Sequence, residues 1–165
     1  MERFTIIEDL GIGYLKISGA YLGAGADDAL LRVLENVSAA DFMLLKYVIV
    51  DLYDVDSMTL EDSDVARRAH WEKRLFAALE QKGEGALKTA ADLKPIVITP
   101  GDENVRATYM ERLRRQPSVG APGMKTARGD IHATLQDALE ALGLSDAASS
   151  ILEKVESADH IPKYQ

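Results

Sequence analysis

The chain has 165 residues, an ordinary globular composition and a formal charge of −8, so a single domain is the simplest reading and wholesale nucleic-acid binding is disfavoured. It contains no cysteine, which excludes disulfides and thiolate chemistry and fits a reducing compartment. No apolar run approaches the roughly 18 residues of a membrane span, and no basic stretch followed by an apolar core opens the chain. The expected protein is cytoplasmic and not an integral membrane protein.

Residues 3–8 (RFTIIE) alternate enough for an edge strand, Asp9-Leu10-Gly11 reads as a turn, and residues 12–18 (IGYLKIS) form a second strand. So short a turn predicts an antiparallel hairpin. The glycines of GAYLGAG (19–25) break the next stretch. They lack the spacing of a phosphate-binding loop. Residues 26–37 predict an amphipathic helix, with Leu30, Val33, Leu34 and Val37 recurring at helical spacing. Residues 38–46 lead into the stretch YVIVDLYDVDSMTLEDSDV at 47–65.

That stretch organises the chain. Val48, Ile49 and Val50 are a continuous β-branched run, as expected of a parallel strand covered on both faces. Asp51 interrupts the run at the strand's carboxyl end, where ligands and partners of open α/β sheets gather. Asp54, Asp56, Ser57 and Thr59 follow it as a polar corner. Thr59 and Asp62 have the spacing of a helix cap, and Glu61, Asp62 and Asp64 suit the positive end of a helix dipole.

The helix that follows is predicted over about 60–81. Val65, Ala69, Phe76 and Leu79 make a candidate buried stripe, and Trp71, Leu75 and Ala78 a second apolar face. Trp71, with His70 beside it, is therefore a candidate interface. Residues 94–99 (KPIVIT) predict another strand, after which Asp102 caps a helix to about 116. The Pro- and Gly-containing segment 117–127 reads as a surface loop, and 128–133 as a short strand. Thr134 caps a further helix that Gly143 ends, and a last helix starts near Ser145. Residues 66–128 carry 13 Lys/Arg against 7 Asp/Glu, the remainder 6 against 20. A basic middle between acidic ends suits an anionic partner or association of unlike surfaces. The predicted fold class is α/β, a mixed and mostly parallel sheet covered by helices and opened by a β-hairpin. Residues 1–143 form the domain; a C-terminal helix and tail (144–165) pack on it or extend it.

This order, together with YVIVDLYDVDSMTLED (47–62), KPIVITPGDENVRATYMERL (94–113) and IHATLQDALEALG (131–143), resembles the STAS superfamily, and within it the small SpoIIAA-like bacterial proteins. The resemblance implies a non-enzymatic regulatory module. In the anti-sigma-factor antagonists, a Ser or Thr at the start of the helix after the central strand is phosphorylated, within an Asp-Ser-Ser-Gly pattern. This chain has Met58-Thr59-Leu60-Glu61-Asp62 there, and its nearest Asp-Ser is Asp56-Ser57. Ser57, Thr59 and Ser63, with Asp56, are thus the candidate modification or partner-contact residues. The same branch is likened to lipid-binding modules, so the implied partner is a protein or a small apolar ligand, with homodimerisation as a further expectation.

A second resemblance is to receiver domains: Glu8-Asp9, Asp51 as phosphoacceptor and Thr99 as hydroxyl, with Mg²⁺ between the carboxylates. An enzyme is disfavoured. No G-x-S-x-G motif, catalytic cysteine or histidine cluster is present, and His70, His132 and His160 lack metal-ligand spacing. No metal or cofactor is expected.

Overall fold

The computed structural model describes residues 1–21, 26–59, 64–115 and 130–158. Strands β1 (Glu2–Ile7) and β2 (Ile12–Ile17) form the antiparallel hairpin, with Glu2 opposite Ile17 and Ile7 opposite Ile12. A 3₁₀ turn over Glu8–Leu10 joins them and ends at Gly11, whose φ is +65°. Alanine would be strained there, and its Cβ would also lie 2.9 Å from the Leu44 carbonyl oxygen. The hairpin therefore requires this glycine.

Strand β3 (Gly19–Tyr21), helices α1 (Ala26–Asn36) and α2 (Ala39–Met43), and strands β4 (Tyr47–Asp51) and β5 (Val55–Met58) come next. Helices α3 (Asp64–Lys82) and α4 (Glu84–Asp92), strand β6 (Lys94–Ile98), helix α5 (Glu103–Arg115), strand β7 (Asp130–His132) and helices α6 (Leu135–Ala141) and α7 (Ala148–Ser157) complete the order. The main sheet runs β1-β2-β4-β6-β7, and every pairing except β1–β2 is parallel. The fold is α/β with a mixed, mostly parallel sheet. Two caps fall where the sequence puts them. Asp102 Oδ1 accepts from the backbone N–H groups of Asn104 and Val105, and Thr134 Oγ1 accepts from that of Asp137.

Alternation along the strands sends side chains to two unequal cores. Leu15, Val48, Val50 and Val97 face α1–α5, whereas Ile12, Tyr14, Ile49, Ile96 and Ile98 face α6 and α7. The C-terminal helix packs on this second face through Ile151 and Val155, both buried.

The structure departs from the sequence-based expectation in several places, among them the lead-in over 38–46, which holds helix α2. The glycine-broken stretch after β2 and the polar corner after β4 pair with each other as a small parallel sheet, β3 beside β5. Its strands are too short for a periodic signal, and Gly19, at φ +78°, allows the bend out of β2. On α3 from His70 onward the buried stripe is Trp71, Leu75, Ala78 and Leu79, while Phe76 is only half-buried; the side chains of Val65 and Ala69 lie outside those described. The face read as secondary, Trp71, Leu75 and Ala78, is in the core together with Leu79 of the first stripe, at i, i+4, i+7, i+8 spacing.

Candidate functional site

The carboxyl end of the sheet holds a buried polar pair. The register that sets Lys16 beside Asp51 places Tyr14 and Asp51 on the same face of neighbouring strands. The Tyr14 hydroxyl donates to Asp51 Oδ2 at 2.5 Å, and the Tyr53 backbone N–H donates to Oδ1 at 2.9 Å. Tyr14 is fully enclosed and Asp51 only 4% exposed. Burial, and then the charge of Asp51, push the Tyr14 hydroxyl above its ordinary pKa. The tyrosine is thus locked as a donor and the carboxylate as an acceptor, an arrangement suited to fixing the strand ends. Outside the pair, Lys16 bridges to Asp54 at 2.6 Å. Gly101 lies against the Tyr53 ring, and a Cβ there would come within 3.0 Å of it.

The receiver-like set is not assembled. Thr99 is buried near Asp51, but its Oγ1 is directed to the His132 carbonyl at 3.4 Å. Asp9 lies before β2, whose Ile12 pairs with Tyr47 at the start of β4. It is therefore at the opposite end of the sheet, about 13 Å of strand away, exposed and facing Lys154 at 3.5 Å. Glu8 is exposed at that same end. A hairpin replaces the strand-helix opening that would have turned Asp9 toward Asp51.

Asp56 and Ser57 are exposed on β5, with the Ser57 hydroxyl donating to Asp56 Oδ1 at 3.1 Å, and Thr59 is exposed just beyond. Ser57 is therefore a strand residue opposite Ala20 rather than part of a helix start. Ser63 and the Thr59–Asp62 capping pattern involve residues outside those described. His70 is exposed, but Trp71 is 8% exposed and points into the core, so the two do not share an interface. Consecutive helical residues are about 100° apart, and only one of them can lie on the buried stripe.

Trp71 instead lines an apolar cavity of about 100 Å³ between the sheet and the helices on its larger face. Phe4 closes it from β1, Val50 from β4, Leu34 from α1, Phe42 from α2 and Ala90 from α4, and every described residue lining it is apolar. A water there would find no polar side-chain partner among the described residues; an engineered apolar cavity of roughly 150 Å³ stays empty of water and admits benzene or xenon. Leu30, Val33, Leu34, Val37, Val48, Val50 and Leu75 are readable as apolar face positions, but no pattern marks where such side chains leave a gap. Tyr14 carried a readable signal: a buried tyrosine hydroxyl usually finds a partner.

No family model matches the chain, and no curated protein matches it. The basic segment is partly neutralised: Arg114 and Arg115 both pair with Glu111, whose carboxyl they hold down to about 2. No helix among the described residues is long and apolar enough to cross a membrane. No group of three metal-type side chains occurs among them.

Proposed function

We propose that this chain is a non-enzymatic binding module of STAS-like type and that it holds a small apolar ligand, or the end of an apolar chain, in the cavity beside Trp71. The observation that carries the reading is the cavity itself, about 100 Å³ in volume and lined by apolar side chains wherever its lining is described. The opening hairpin and the βα order support the STAS-like assignment. The absence of cysteine supports a cytoplasmic setting. Selectivity in such a site comes from shape and exclusion of water rather than from polar contacts.

Trp71 is the sole tryptophan, so its fluorescence reports occupancy without a label. Titration with 1-octanol should give a saturable change that Ala90→Leu, which fills the cavity, abolishes while circular dichroism stays native. Native mass spectrometry of protein from its own host should show an added apolar mass. A linear, non-saturating response that is unaltered by Ala90→Leu, together with a bare protein mass, would refute the reading. A protein partner is the second reading, supported by the exposure of Asp56, Ser57 and Thr59 on one corner. Ser57→Ala with Thr59→Ala should then abolish capture of that partner without changing the octanol titration.

A further inference from the structure

We propose that β1 pairs with β1 of a second copy of this chain, antiparallel and centred on Phe4, joining two five-stranded sheets into one. The inference is independent of the ligand reading and rests on the sheet edge. Met1 and Ser18 exchange both backbone hydrogen bonds, at 2.8 and 2.9 Å. In an antiparallel ladder such pairs alternate with pairs whose N–H and C=O groups point away. The register then makes Arg3–Lys16, Thr5–Tyr14 and Ile7–Ile12 the bonded pairs. The N–H and C=O groups of Glu2, Phe4 and Ile6 are left pointing outward, and none of them is bonded to a described residue.

The usual guards of an edge are missing here. Strand β1 is six residues long, regular in register and free of proline. Its two charges are drawn onto the faces of the sheet: Glu2 pairs with Arg32 of α1, and Arg3 donates to the Glu156 carbonyl of α7 at 2.8 Å. The other edge differs, since β7 has three residues and carries Asp130. A twofold axis at Phe4 sets Glu2 opposite Ile6 of the partner subunit and Arg3 opposite Thr5 of the partner subunit. All three outward residues then fall in bonded positions, and no like charges meet. The Phe4 ring leans inward over Gly13, where a Cβ would lie 3.2 Å from it, which keeps the axis clear.

Sedimentation velocity of the full chain across a concentration series tests this. The expected result is a monomer–dimer equilibrium with opposite responses at one position. Thr5→Glu, facing Arg3 of the partner subunit, should tighten the dimer, and Thr5→Lys should weaken it, each by about fivefold through two symmetric cross-strand pairs. Glu2→Pro removes an outward N–H that β2 does not use. It should weaken the dimer beyond Glu2→Ala, which loses only the ion pair, with circular dichroism checking that each variant is folded. A monomer at every concentration, or a dimer indifferent to both Thr5 changes, would overturn the proposal.

Discussion

The two faces of the sheet solve the same packing problem differently. Against α6 and α7 the residues are small in number and fully enclosed: Ile12, Tyr14, Ile49, Ile96, Ile98 and Leu139 are all at 0% exposure. The polar pair that this face must bury is satisfied by two donors on Asp51. Against α1–α5 the core is larger, and it leaves the cavity beside Trp71. The difference is one of geometry more than of composition, since both faces draw on Leu, Ile, Val and Ala. Two short helices can settle onto a flat strand surface. Several elements converging on the other face, one of them the five-residue α2, cannot all close at once. One face is therefore closed around the strands, and the other leaves an apolar space beside Trp71.

The largest effect should come from truncating the packed face. Leu139→Ala should cost about 2–5 kcal/mol in a urea titration, because the site has no slack into which to collapse. A sharper test enlarges one alanine on each face. Ala138→Val should cost about 1–3 kcal/mol by overpacking, whereas Ala90→Val, which projects into the cavity, should be near neutral. Equal costs at the two positions would erase the distinction between the faces.

The buried pair comes next. Tyr14→Phe leaves the Asp51 carboxylate with only the Tyr53 N–H and should cost about 1–2 kcal/mol at neutral pH. The folded chain holds the Tyr14 proton more tightly than the unfolded chain does, because the folded pKa lies above the ordinary value of 10. That contribution is complete below pH 10 and declines above it as the unfolded tyrosine ionises. The gap between the wild type and Tyr14→Phe should therefore narrow in alkaline unfolding curves. A gap constant with pH would mean that the hydroxyl is not what the mutation removed. The smallest effect belongs to the rim: the exposed Lys94–Asp130 bridge should leave the unfolding midpoint unchanged within error when Asp130 becomes asparagine.

Legibility in the sequence followed the same division. The hairpin, the central strand and the caps at Asp102 and Thr134 were readable because each rests on local chemistry: a glycine turn, a β-branched run, a side-chain acceptor three residues ahead of its donor. The small β3–β5 sheet was not, since strands of three and four residues carry no period. Trp71 was visible as part of an apolar face, but α3 offered two such faces, and only the neighbouring elements decide which turns inward. Asp51 stood out at its strand end, yet its partner Tyr14 depends on the β2–β4 register, a non-local fact. The cavity was least legible, because it is defined by where side chains fail to meet.

The most direct test is a crystal structure under xenon pressure. Xenon should occupy the space enclosed by Trp71, Phe4 and Val50 and should be absent among Ile12, Ile49, Ile96 and Leu139. Xenon on the α6–α7 face, or none beside Trp71, would contradict the account.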